Sequence, residues 1–127
     1  MIANRSRIVH FGIAAIAAVA LSGGLLLAGQ DPAVVNSKII TVKLENDRVR
    51  VLEAKIAPGE KEQPHSHPAS IIYVIDGGTM RNHAADGTVS DTTYKAGDTI
   101  SRQAITRHWA ENIGSTTVRL VLVELKQ

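Results

Sequence analysis

Gly59-Glu60-Lys61-Glu62-Gln63-Pro64-His65-Ser66-His67-Pro68-Ala69-Ser70-Ile71-Ile72-Tyr73-Val74-Ile75-Asp76-Gly77 sets a pair of imidazoles directly ahead of an apolar run. Successive side chains of an extended segment point to opposite faces, so His65 and His67, two apart, present both rings on one face. Neutral imidazole is the commonest protein metal ligand, and such a pair needs only one or two further ligands to make a site. His108 is the best candidate for the third. Ile71 to Ile75 is β-branched and aromatic, the composition of a strand that can anchor the histidine loop to a rigid wall. Alone, Pro64-His65-Ser66-His67-Pro68 reads equally well as a polar loop, because a histidine cluster is a pointer and not a proof.

A second stretch breaks that tie: Gly97-Asp98-Thr99-Ile100-Ser101-Arg102-Gln103-Ala104-Ile105-Thr106-Arg107-His108-Trp109-Ala110-Glu111-Asn112. The two stretches resemble, in order, the two motifs of the cupin superfamily, with Gly59, His65, His67 and Gly77 in the first and Gly97, His108 and Asn112 at the family's spacing in the second. Together they span about half the chain. The resemblance implies a small single-domain cupin, an RmlC-like jelly roll, with a three-histidine site of His65, His67 and His108. It also implies a divalent ion there, whether zinc, copper, iron, manganese or nickel. Two departures stand out. Ser70 followed by Ile71 occupies the region where the first motif usually carries a metal-binding glutamate, and Gln103 and Ile105 replace a proline and a glycine before His108. A site of three neutral rings leaves the full charge of a divalent ion to be balanced by water, substrate or an anion.

The chain begins with a basic segment carrying Arg5 and Arg7, followed by Phe11 to Gly29, apolar or small at nearly every position. These are the marks of an export signal, and residues 1–29 read as a signal peptide or an N-terminal membrane anchor. The run is close to the roughly 20 residues that span a bilayer, while Gly23-Gly24 weakens a helix and Leu27-Ala28-Gly29 offers a cleavage site. The protein is therefore expected to be periplasmic or extracellular, or else membrane-anchored by this segment, with no other membrane contact. No cysteine is present, which excludes a lipoprotein anchor and any disulfide. In an exported protein, imidazole sites tend to take zinc or copper by affinity unless geometry resists.

The whole chain carries a net charge of +2. Arg5 and Arg7 account for that excess, so the part after the leader is near neutral. Nothing argues for a nucleic-acid partner, which calls for a basic patch. The remaining length is enough for one compact domain with a modest core.

Residues 30–37 read as a linker and 38–127 as the folded domain. Lys38 to Glu45 and Arg48 to Ala57 read as a hairpin around Asn46-Asp47. In the second of these strands the apolar parity switches near Val51, which predicts a bulge there. Thr79 to His83 and Thr88 to Tyr94 flank Ala85-Asp86-Gly87, a strong hairpin signal. Thr99 to Gln103, His108 to Ile113 and Thr117 to Lys126 complete an all-β pattern, a sandwich or barrel. Val118 to Leu125 is apolar on both faces except at Arg119 and Glu124, so its second face needs a cover. Either the N-terminal hairpin lies over it, or it forms a homodimer interface.

His83 reads as a solvated turn residue rather than a fourth ligand, and Glu111 as outward-facing by strand parity. Arg102 or Gln103 could face the cavity and bind an anion. Hydrolase and kinase motifs are absent, and aromatics are too few for a base-stacking platform. Two functions remain. One is an exported cupin that binds a metal and a small-molecule ligand without turnover. The other is a metal-dependent enzyme, a dioxygenase or isomerase, using the same site. A three-histidine set resembles that of thiol dioxygenases among cupins, but nothing else in the chain matches them. No catalytic residue is assigned, since the missing carboxylate removes the obvious base and an unassisted Ser70 hydroxyl is a poor replacement.

Overall fold

The computed structural model describes residues 30–127; the expected leader, residues 1–29, lies outside the described residues. Among the described residues, nine antiparallel strands follow one short helix, α1 (Pro32–Val35). They are β1 (Ile40–Glu45), β2 (Val49–Ile56), β3 (His65–His67), β4 (Ser70–Asp76), β5 (Gly78–Ala84), β6 (Val89–Tyr94), β7 (Thr99–Arg102), β8 (Ile105–Asn112) and β9 (Val118–Leu125). A five-stranded sheet of order β1-β2-β9-β4-β7 packs on a four-stranded sheet of order β3-β8-β5-β6. This is the expected all-β jelly roll. Among the described residues no helix is long and apolar enough to cross a membrane.

Alternation builds the core. Leu52, Ala54 and Ile56 on β2, Ile72 and Val74 on β4, and Val118, Leu120 and Leu122 on β9 all point inward, joined by Ile40, Met80, Tyr94 and Ala110. The filling is mainly aliphatic, as the scarcity of aromatics requires. The glycines that open the two motifs, Gly59 and Gly97, have positive φ (80° and 90°), a conformation in which a Cβ is strained. The second turn is tied down, since the Gly97 N–H donates to the Val74 carbonyl at 2.8 Å. The Ala85-Asp86-Gly87 hairpin forms as expected, with β5 and β6 paired on either side.

Three expectations need correction. Residues 30–37 are not a bare linker. Asp31 caps α1 by accepting from the Ala33 N–H at 2.9 Å, Pro32 takes a helix-start position that needs no N–H donor, and Ala33 packs on the core. The irregularity near Val51 lies in the partner strand. Pairing of β2 with β9 runs unbroken from Val49 to Ile56, whereas β1 shifts register between Val42 and Leu44, opposite Leu52 and Val51. Finally, the N-terminal hairpin does not cover the last strand; β9 lies in-plane between β2 and β4. One face of β9 lines the core and the other carries the half-buried Val121 and Val123.

Candidate metal centre

β3 and β8 pair so that His65 stands opposite His108; His67, two residues on, keeps to the same buried face, while a register shift places Ile105 opposite it. All three rings are buried, at 0%, 4% and 8% exposure for His65, His67 and His108. Their centroids are 4.5 to 5.3 Å apart, and one nitrogen from each lies within 4.8 Å of the others. The expected ligands therefore converge.

Hydrogen bonds on the outer edges set the tautomers of His65 and His67; at His65 Nδ1 the closer Gln63 carbonyl, which can only accept, outweighs the Asn36 amide nitrogen 3.2 Å away. His65 Nδ1 lies 2.8 Å from the Gln63 carbonyl and donates to it. Asn36, buried and contributed by the segment after α1, holds that same Gln63 from both sides, accepting its N–H at 2.6 Å and donating to its carbonyl at 3.1 Å. His67 Nδ1 donates to Glu124 Oε1 at 2.6 Å. Glu124 in turn faces Arg50 at 3.9 Å, and Arg50 forms a two-pronged pair with Asp31 at 2.7 and 2.8 Å. With both Nδ1 atoms engaged as donors, the Nε2 atoms of His65 and His67 carry lone pairs, and they face each other at 2.9 Å. Two opposed lone pairs repel unless a proton on one or a metal ion on both relieves them. His108 Nε2 is buried without any partner, a third ring nitrogen in the same cluster that no protein group engages. The donor set thus fits a divalent cation held by three imidazoles, with outer partners of the kind that orient metal-bound histidines.

Burial is the first cause holding the rings neutral. It pushes His65 down to about 4 and His108 down to about 3, aided by neighbouring histidines and by Arg102. Neutral imidazole is the ligating form.

Two carboxylates stand near the centre that the sequence did not assign. Glu124 was visible only as a polar break in an apolar strand; its partner lies 57 residues away in the chain. Glu62 was concealed in an apparently solvated run. It is 8% exposed, accepts from the Ala110 N–H at 3.0 Å, and burial raises its carboxyl to about 7. Glu62 lines a cavity of about 30 Å³ together with His67, His108 and Arg102, space for a water or two.

The other candidates fall outside the centre. Glu111 sits on the opposite face from His108 and pairs with Lys61 at 3.2 Å. His83 lies next to the end of β5 but is half-buried rather than solvated; its ring stacks on Trp109 at 3.5 Å and reaches Glu111 at 3.4 Å. Gln103 is exposed, whereas Arg102 is half-buried and lines the cavity. Asn112 is structural: its amide donates to the Ile56 and Thr116 carbonyls at 2.9 and 2.8 Å.

No match is found among curated proteins. Solved structures share the fold. A cupin domain from Bordetella pertussis is 24% identical with a TM-score of 0.65, covering 70% of this chain and 93% of that one. A protein with a double-stranded β-helix domain from Klebsiella pneumoniae is 29% identical at a TM-score of 0.56, covering 68% and 75%. An RmlC-like cupin family protein from Methanocaldococcus jannaschii is 17% identical at 0.57, covering 68% and 78%. The family model for the cupin domain matches residues 52–124, from the core strand β2 through Glu124 and including all three histidines, and the chain belongs to that family.

Proposed function

We propose that the chain is an exported cupin that holds a divalent metal ion on His65, His67 and His108 and receives a small-molecule ligand at the mouth of the barrel. The observation that carries this reading is the opposition of the His65 and His67 Nε2 lone pairs at 2.9 Å beside the unpartnered His108 Nε2. A bound ion would supply Lewis acidity. The chain's own residues do the rest: Glu124 and Gln63 hold the protons of His67 and His65 on Nδ1, Asn36 fixes Gln63, and the aliphatic core beneath keeps bulk water out. Elemental analysis of the purified protein tests it. One equivalent of metal is expected in the native protein and none in the His65→Ala, His108→Ala double variant; equal metal in both would overturn the reading.

A second reading, a metal-dependent isomerase or dioxygenase, is favoured by Glu62. A buried carboxyl with a proton affinity near neutrality, in the same cavity as His67 and His108, has the properties of a general acid–base. Export follows from the leader, and self-association from the outer face of the larger sheet. There Leu44, Val51, Val123 and Ile71 are cross-strand neighbours in a continuous apolar strip. A homodimer would cover it.

A further inference from the structure

The inner face of the larger sheet carries one polar row across the mouth of the barrel. Arg50 on β2 stands opposite Glu124 on β9, Glu124 opposite Ser70 on β4, and Ser70 opposite Arg102 on β7. The next row inward, Leu52, Leu122, Ile72 and Ile100, is wholly aliphatic. The row's two halves differ in how they are satisfied. Arg50 and Glu124 face each other, with Asp31 and His67 as outer partners, and only the Arg50 Nε is left without a hydrogen bond. Ser70 and Arg102 are left open. Ser70 is 2% exposed and its Oγ has no hydrogen-bond partner. A buried hydroxyl without a partner is an exception that calls for a physical reason. Arg102 is half-buried and donates to the Tyr94 hydroxyl at 3.3 Å. Among the described residues it is the one half-buried cation that forms no ion pair.

Arg102 also links two spaces. It lines the small inner cavity with His67, His108 and Glu62, and the wider groove outside, about 350 Å³, with Asn82, Ile105 and His108. The charge there is one-sided. A divalent ion on neutral rings adds two positive charges to that of Arg102. Of the carboxyls facing the site, Glu124 contributes one negative charge, since Asp31 already neutralises Arg50, and burial raises Glu62 to about 7, so with the ion bound the positive charge is in excess.

The geometry points to a ligand class: the centre takes a small carboxylate, whose carboxylate group is held by the Arg102 guanidinium beside the histidines. A guanidinium presents paired N–H donors that match a carboxylate in a way no neutral group does. Ser70 lines neither space but stands directly opposite Arg102, so its unpartnered hydroxyl is the nearest neighbour on β4; the inner cavity is too small for more than the head of the ligand, so the body lies in the groove. This assignment rests on the three-histidine reading and gives the ligand class that reading left open.

Calorimetric titration of the zinc-loaded protein with acetate, glycolate and malonate, each against its neutral amide, provides the test. At least one acid is expected to bind, with its amide weaker by at least about tenfold. Arg102→Gln should lose about tenfold or more for the acid at unchanged zinc content, with Arg102→Lys, which keeps charge without the fork, in between. Ser70→Glu, which places the chain's own carboxylate in the gap, should retain zinc and bind none of the acids. The assignment is overturned if no acid binds, if amide and acid bind alike, or if Arg102→Gln binds like the native protein. Should the native protein hold no zinc, the three-histidine reading fails separately. The Arg102 dependence is then scored with malonate on metal-free protein, where native and Arg102→Gln must still differ.

Discussion

The mouth and the floor of the barrel are built by the same strands, and they differ by one side chain per strand. Along β2 the inward residues run Arg50, Leu52, Ala54, Ile56; along β9, outward from the floor, Val118, Leu120, Leu122, Glu124; along β4, from the mouth, Ser70, Ile72, Val74. The floor is a dry aliphatic packing, and the mouth is a polar row facing three histidines. A step of two residues along a strand therefore separates a region that governs stability from one that governs chemistry. Damage to one should leave the other readable.

The largest effect is expected on the floor. Leu122 is 4% exposed in the row directly beneath the polar one. Leu122→Ala should lower folding stability by about 2 to 5 kcal/mol, measured by denaturant unfolding, with metal per folded molecule unchanged. A loss of metal affinity matching the loss of stability would erase the distinction between the two regions.

At the mouth, Glu124→Gln removes the carboxylate that orients His67 while keeping its shape. Metal affinity should fall by about 10- to 100-fold, the range for outer partners of metal-bound histidines, with little change in the unfolding midpoint of the metal-free protein. Competition with a chelator of known affinity measures the first and thermal unfolding the second.

The comparison also explains what could be read in advance. His65, His67 and His108 were legible because period-two spacing and two ordered motifs both depend on local sequence. The core rows were legible by alternation. Glu62 was not, since Glu60-Lys61-Glu62 has the composition of a surface run; only the pairing of Glu62 with Ala110 across the sheet, Glu62 N–H to the Ala110 carbonyl at 2.9 Å, reveals that it turns inward. The parity switch in β2 was real but its cause was misjudged. Val49 and Val51 belong to the outer apolar strip, and the inward positions continue as Arg50 in the polar row, so no extra residue is needed in β2. Asn36 was lost in the expected linker, where a four-residue helix opened by Pro32 is too short to leave a periodic signal, although Pro is favoured at a helix start.

Glu62 gives a pH test between the two regions. Its folded-state value, raised from 4.5 to about 7, means that the folded protein holds this proton more tightly than the unfolded chain. Its contribution is fully present below about pH 4.5 and is lost as pH rises through about 7. Glu62→Gln, which mimics the protonated form, should match the native protein near pH 4.5 and exceed it at pH 8, by on the order of 3 kcal/mol at most. His65 and His108 act in the opposite sense, because their depressed values remove stability as pH falls from about 6.5 toward 4 and 3; both are unchanged in the variant. Equal stability of the two proteins at pH 8 would mean that Glu62 is not buried as described.

The smallest effect is expected on the outside of the same sheet. Val121→Asp places a charge beside Tyr73 and Glu53 on the outer face and should shift a dimer toward monomer in sedimentation, leaving metal content and the inner rows intact. A native protein that sediments as a monomer at all micromolar concentrations would contradict the proposed self-association.

The central claim is that the mouth is a three-imidazole metal centre, and X-ray absorption spectroscopy of the zinc-loaded protein addresses it most directly. The account predicts a first shell containing three imidazole nitrogens at about 2.0 to 2.1 Å, with the imidazole outer-shell signal reduced by about a third in His108→Ala. A shell with one imidazole or none, or one unchanged by His108→Ala, would contradict it.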